Sequence, residues 1–308
     1  MINYFRKVYR LQKKYKKHNG PLYAVTYSEK HQLLFTGGAD KIVATWDLKK
    51  DENTPFSIKT DSAILNLQLL NDDTYLFIGL FNGNFHIIDL VSRQEVKYFP
   101  YHKSGVFSSL YLDEKNLLFV GAGDGTLSVW NTNDFELIKN YKISNGKIRA
   151  IQSIGERVVI GNSEGQIFTI DLKDVSKAAL FSKIDHPIYS MVYLPLKNSL
   201  LIGDKNAHLT ILNLNFGVQV VSIAAHNWPV YGVVRLNDVE FATCSRDKIV
   251  KIWDSNSLEV KQRLCFPMHK GHLNSVNNMV AIPSQNLLVS VGDDKQICVW
   301  ESFREDIL

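Results

Sequence analysis

Short apolar runs alternate with tight polar breaks along the whole chain. Runs such as Leu117-Leu118-Phe119-Val120 and alternations such as Ile249-Val250-Lys251-Ile252-Trp253 read as strands, with Gly, Asp and Asn at the breaks between them. No segment sustains a 3.6-residue apolar period, so an all-β chain is expected. The breaks recur on a fixed spacing. The stretches GGADKIVATWD, GLFNGNFHIID, GAGDGTLSVWN, GNSEGQIFTID, GDKNAHLTILN, TCSRDKIVKIWD and GDDKQICVWES align on Trp46, Ile88, Trp130, Ile170, Leu212, Trp253 and Trp300, at successive spacings of 42, 42, 40, 42, 41 and 47 residues. Four short strands per repeat of roughly forty residues describe a unit that buries its faces only against its neighbours, as the blade of a propeller does.

Three units carry one further set in common. His18, Thr36, Asp40 and Trp46 are matched by His226, Thr243, Asp247 and Trp253, and again by His272, Ser290, Asp294 and Trp300. In these residues the chain resembles the WD-repeat β-propeller family, and the resemblance covers essentially its whole length. That family pairs a His before the first strand with an Asp in a tight turn, a Trp six residues later and a hydroxyl on the second strand. The resemblance implies a seven-bladed β-propeller of four-stranded antiparallel blades, one domain over residues 1–308, with these residues forming structural hydrogen-bonded tetrads.

The other units depart from the pattern. The third keeps His102, Asp124 and Trp130 but has Val120 where the hydroxyl belongs, which predicts a partial network. Units two, four and five hold Asn82, Glu164 and Asn206 at the Asp position and Ile88, Ile170 and Leu212 at the Trp position, so apolar packing is expected to replace the network there. Only eight residues follow Trp300, too few for the seventh unit to supply its own outer strand. The segment 1–17 is therefore expected to join the last blade and close the ring.

Composition changes this picture little. At 45% hydrophobic and 21% charged residues, the 308-residue chain is of ordinary globular usage. Cys244, Cys265 and Cys298 contain no C-x-x-C pair, and Met1–Lys7 lacks a secretory signal, so a cytoplasmic location is expected. The net charge of +4 is local: Met1–Lys17 carries seven basic residues and no acid, leaving 28 basic against 31 acidic elsewhere, or −3. A nucleic-acid-binding body is not implied.

Catalytic chemistry finds little support. The Ser/Thr, His and Asp sets look like hydrolase triads, yet their recurrence in three units points to structure, because a catalytic site is built once. His269, His272 and Cys265 lie close in sequence, but His272 belongs to a tetrad and no fourth ligand follows, so no metal site is expected. No phosphate-binding loop, nucleophile elbow or cofactor motif is present, and no cofactor is expected.

Recognition finds more. The resemblance places the fifth residue after each His, or its equivalent, at the top mouth of the central channel. These positions read Tyr23, Leu65, Phe107, Arg149, Tyr189, Tyr231 and Asn277. Aromatics and Arg are the residue types enriched at binding hot spots. Lys205 and Arg246, just before the turn Asp position of their units, join Lys147 and Arg149 in a basic sector over blades four to six. Trp228, before Pro229, is either an exposed anchor or packed on that proline. The expected function is noncatalytic protein recognition, the top face holding a partner segment with an acidic group beside an apolar anchor. Two rivals stand beside it: an enzyme or small-ligand binder at the channel mouth, and binding of nucleic acid or an anionic surface by the basic N-terminal strand.

Overall fold

The computed structural model describes residues 5–306. They fold into seven four-stranded antiparallel sheets. The innermost strands, from Leu22–Ser28 in blade one to Val276–Ile282 in blade seven, touch one another in chain order, and the last touches the first. The result is a closed propeller, as expected. Six blades use four consecutive strands each, whereas the seventh runs Val276–Ile282, Leu287–Gly292, Ile297–Asp306 and then Phe5–Tyr15. Of the segment predicted to close the ring, residues 1–4 lie outside the described residues. No helix among the described residues is long and apolar enough to cross a membrane.

Burial follows the layering. Second strands such as Ser199–Asp204 and Leu287–Gly292 are buried at every position, while the outer strand Gln94–Phe99 is exposed at four of six. The core lies between blades rather than within one. Glycines of the second strands make that packing close: a Cβ on Gly121 would come within 2.5 Å of Ile148 Cγ2 in the next blade, and one on Gly203 within 2.7 Å of Val230 Cγ1. Each of these β-branched residues opens the next innermost strand, so the repeat places a gap in one blade against a knob in the next.

The closing strand is held from both sides. Phe5–Tyr15 pairs with Ile297–Asp306 in a register that sets Leu11 opposite Trp300, with a bulge between Leu11 and Lys13. The Tyr9 backbone N–H donates to Gln262 Oε1 and its carbonyl accepts from Gln262 Nε2, both at 2.8 Å, tying the strand to blade six. Toward blade one, Tyr15 Oη donates to Asp51 Oδ1 at 2.9 Å and Lys13 pairs with the same carboxylate.

All three expected tetrads are closed. His18 Nδ1 lies 2.7 Å from Asp40 Oδ2, His18 Nε2 lies 2.9 Å from Thr36 Oγ1, and Trp46 Nε1 donates to that hydroxyl at 2.8 Å. The same arrangement joins His226, Thr243, Asp247 and Trp253, and His272, Ser290, Asp294 and Trp300. Each chain runs from indole to hydroxyl to imidazole to carboxylate, so the buried polar groups of a tetrad satisfy one another.

Blade three corrects the expectation drawn from Val120. Its network is complete by another route. Trp130 Nε1 donates to Ser128 Oγ at 2.8 Å, His102 Nε2 lies 2.9 Å from that same hydroxyl, and His102 Nδ1 lies 2.8 Å from Thr126 Oγ1, which donates to Asp124 Oδ1. In blades two, four and five, Ile88, Ile170 and Leu212 are buried at 0 to 5% exposure at the Trp position, but in blade four apolar packing does not replace the network outright, since Asn162 bonds Ser144 and Gln166 there.

Candidate recognition site at the channel mouth

Antiparallel alternation brings three features of every blade to one face: the loop before its innermost strand, the start of that strand, and the turn between its second and third strands. On this upper face the channel opens into a cavity of about 550 Å³. All seven residues read from the repeat as mouth positions line it: Tyr23, Leu65, Phe107, Arg149, Tyr189, Tyr231 and Asn277.

Arg149 dominates the electrostatics. Its guanidinium stacks on Phe107 at 4.7 Å and on Tyr189 at 4.4 Å from the ring centroids. Tyr189 in turn lies 5.7 Å from Tyr231. No carboxylate of the described residues forms an ion pair with Arg149, and its buried Nε has no hydrogen-bond partner. Burial holds its pKa below the usual arginine range, with the Tyr189 and Tyr231 hydroxyls opposing. Lys147 approaches the Phe107 ring as well, at 5.5 Å.

The cavity offers little acid–base chemistry. Its one carboxylate, Asp293, accepts from Asn277 Nδ2 at 2.7 Å, and that amide also donates to the Leu22 carbonyl at 2.8 Å. This pair belongs to the wall.

The remaining candidates sit outside the cavity. Trp228 is 52% exposed, and the Arg246 guanidinium stacks on its ring at 4.7 Å. Lys205 is exposed on the second turn of blade five. The structure thus separates a central group of Tyr23, Phe107, Arg149, Tyr189 and Tyr231 from a rim group of Trp228, Arg246 and Lys205. His272 cannot serve a metal with Cys265 and His269, because both of its ring nitrogens are engaged by Asp294 and Ser290. Among the described residues, His186, Asp204 and His208 form the group of three able to hold a metal ion, on this face of blade five. Residue-by-residue reading missed it because its members are eighteen and four residues apart, and only overlay of adjacent repeats brings them into line.

Comparison with known proteins agrees with the fold. The family described as WD domain, G-beta repeat matches residues 9–47, 93–131, 217–254 and 263–301, half of the chain. The chain belongs to the WD-repeat family. This WD-repeat chain is similar to WD repeat-containing protein 55 of Rattus norvegicus, at 25% identity over 240 residues that cover 76% of the chain and 62% of that protein. It is also similar to a striatin homolog of Dictyostelium discoideum, at 21% identity over 307 residues that cover 91% of the chain and 33% of the relative. Protein groucho of Drosophila melanogaster matches at 24% identity over 205 residues, covering 64% of the chain and 28% of groucho. The chain spans less than two thirds of each relative's length.

Proposed function

We propose that this propeller is a noncatalytic recognition module whose upper face captures an extended segment of a partner protein, an acidic side chain entering the channel mouth and an apolar one seating beside it. The observation that carries this reading is Arg149: a cation held between two rings, with no ion-pairing carboxylate among the described residues, lining a cavity of about 550 Å³. A guanidinium so placed has already lost much of its water, so an incoming carboxylate or phosphate gains a charge-assisted, two-pronged contact at reduced cost. Tyr189, Tyr231 and Phe107 supply the apolar floor, and Lys205 and Arg246 add charge at the rim. Free cysteines, two of them buried, fit a cytoplasmic setting.

The rival readings draw less support. Asp293 is engaged by Asn277, which leaves no acid–base pair for catalysis at the mouth. On the N-terminal strand, Lys13 is paired with Asp51 and Lys14 donates to the Gly271 carbonyl at 2.9 Å, so half of the Lys13, Lys14, Lys16 and Lys17 cluster serves the ring itself.

Affinity capture with the wild type and an Arg149→Ala, Tyr231→Ala variant, followed by fluorescence polarisation with acidic and neutral peptides from the captured partners, tests the reading. Acidic peptides should bind the wild type and lose at least tenfold in affinity with the variant. Equal capture by both proteins would sink it.

A further inference from the structure

The 42-residue repeat lays blade five directly over blade four, and at three superposed positions the two blades differ in kind. In blade four these are Ser144, Asn162 and Gln166. In blade five they are His186, Asp204 and His208.

Blade four is a closed polar set. Asn162 Oδ1 accepts the backbone N–H groups of Glu164 and Gln166, each at 2.9 Å, and Asn162 Nδ2 donates to Ser144 Oγ and Gln166 Oε1, each at 2.8 Å. Blade five keeps the first half of this arrangement. Asp204 Oδ1 accepts the backbone N–H groups of Asn206 and His208 at 2.8 and 2.9 Å. The second half is missing. Asp204 is 1% exposed, yet its Oδ2 has no hydrogen-bond partner, and neither has the buried Nδ1 of His208.

A fixed, buried carboxylate oxygen without a donor is costly, and each such group asks for an explanation. The surroundings supply one. A ligand atom from each of His186, Asp204 and His208 lies within 4.8 Å of the others, and the two imidazoles stack at 5.7 Å between centroids. Zinc bonds of about 2.0–2.2 Å at tetrahedral angles separate ligand atoms by roughly 3.3 Å. Small side-chain rotations of the two partly exposed imidazoles close that difference while the capped carboxylate stays in place. His186 Nδ1 lies 3.1 Å from the Asn206 amide, which, turned about its last bond, would accept the Nδ1–H and leave Nε2 as the ligand.

We infer that His186, Asp204 and His208 form a binding site for a divalent transition-metal ion, zinc in the first instance, with three protein ligands and the remaining position open to solvent. Two imidazoles and one carboxylate suit zinc and its first-row neighbours and do not suit magnesium or calcium, which prefer all-oxygen sets. The site adjoins the channel mouth, since Tyr189 follows His186 by three residues.

The test exploits the neighbouring blade. Untagged wild type and the His186→Ser, Asp204→Asn, His208→Gln triple variant are stripped with chelator and dialysed against zinc chloride, and bound metal is measured by elemental analysis. The triple variant installs the side-chain set that blade four already accommodates, so it should fold, as circular dichroism would verify. The wild type should bind one zinc per chain, and the triple variant should bind at least a hundredfold more weakly. A single His208→Gln variant should lose at least tenfold. Cobalt chloride should give the wild type, and not the triple variant, the visible bands of a four- or five-coordinate ion. Equal zinc binding by both proteins would assign the metal to other histidines and overturn the inference, as would a wild type that binds none.

Discussion

Ser128 stands directly opposite Val120 across the second and third strands of blade three, and its hydroxyl does there what Thr36, Thr243 and Ser290 do from the second strand in other blades. The hydroxyl has crossed one rung of the ladder, and both the His102 imidazole and the Trp130 indole still reach it. Ser128→Ala should therefore leave two buried groups without a partner and destabilise the protein by about 1–3 kcal/mol. Adding Val120→Thr should restore most of the loss by returning the hydroxyl to the second strand. Denaturant midpoints of the single and double variants check this, and an Ala variant as stable as the wild type would show that the relay contributes nothing.

The same relay sets a pH dependence. Thr126 stands between His102 and Asp124, so the carboxylate is one hydroxyl removed from the imidazole and supports its charged form weakly. Burial pushes the His102 pKa down to about 4, the Asp124 charge opposing only in part. The unfolded chain takes up this proton near pH 6.5 while the folded one refuses it until about pH 4. The contribution of His102 to stability is therefore complete above about pH 6.5 and falls as pH drops toward 4, by about 3 kcal/mol for this group alone. Burial also depresses His226, in the same direction, whereas His272, beside Asp294, is raised to about 9 and contributes stability that is lost as pH rises above about 6.5. Melting curves from pH 6.5 to 4.5 should show the decline, and His102→Gln should flatten part of it. A slope unchanged by that substitution would contradict the assignment.

The closing strand is held chiefly by its antiparallel ladder with Ile297–Asp306, and on the blade-six side Gln262 adds two hydrogen bonds to the Tyr9 backbone. Gln262→Ala should cost about 1–2 kcal/mol and raise hydrogen exchange across residues 5–15 more than elsewhere. Uniform exchange would show that the ladder with Ile297–Asp306 and the packing around it hold the strand without Gln262.

Much of this was legible because a propeller writes its geometry into one repeat length. The spacing of Trp46, Trp130, Trp253 and Trp300 gave the blades, and the strand-like segment before His18, standing where an outer strand precedes each repeat, gave the route of closure. The resemblance to the WD-repeat family placed the seven mouth positions, and all line one cavity. Three things were not legible. The Val120 substitution hid an intact network, because cross-strand neighbours eight residues apart become equivalent only once the ladder is formed. The division of the basic sector was not legible because spacing does not say which side chain a cation packs on: Arg149 lies between Phe107 and Tyr189, and Arg246 lies over Trp228. The contrast between Asn162, fully bonded, and Asp204, half bonded, required atoms.

Arg149 gives the sharpest separation between binding and architecture. If its guanidinium merely filled the channel wall, removing it would forfeit two ring contacts worth about 0.5–2 kcal/mol each and lower the melting temperature. If it is held for a partner, the free protein carries the cost of a desolvated charge without a counterion, and its loss should be neutral or stabilising. Arg149→Met keeps a long, polarisable side chain between Phe107 and Tyr189 while removing the charge. This variant should melt no earlier than the wild type and should bind acidic peptides at least tenfold more weakly. Arg149→Lys should retain the charge but lose the flat, two-pronged geometry, so its affinity should fall between the two. A methionine variant that melts several degrees early and binds as well as the wild type would make Arg149 a wall residue.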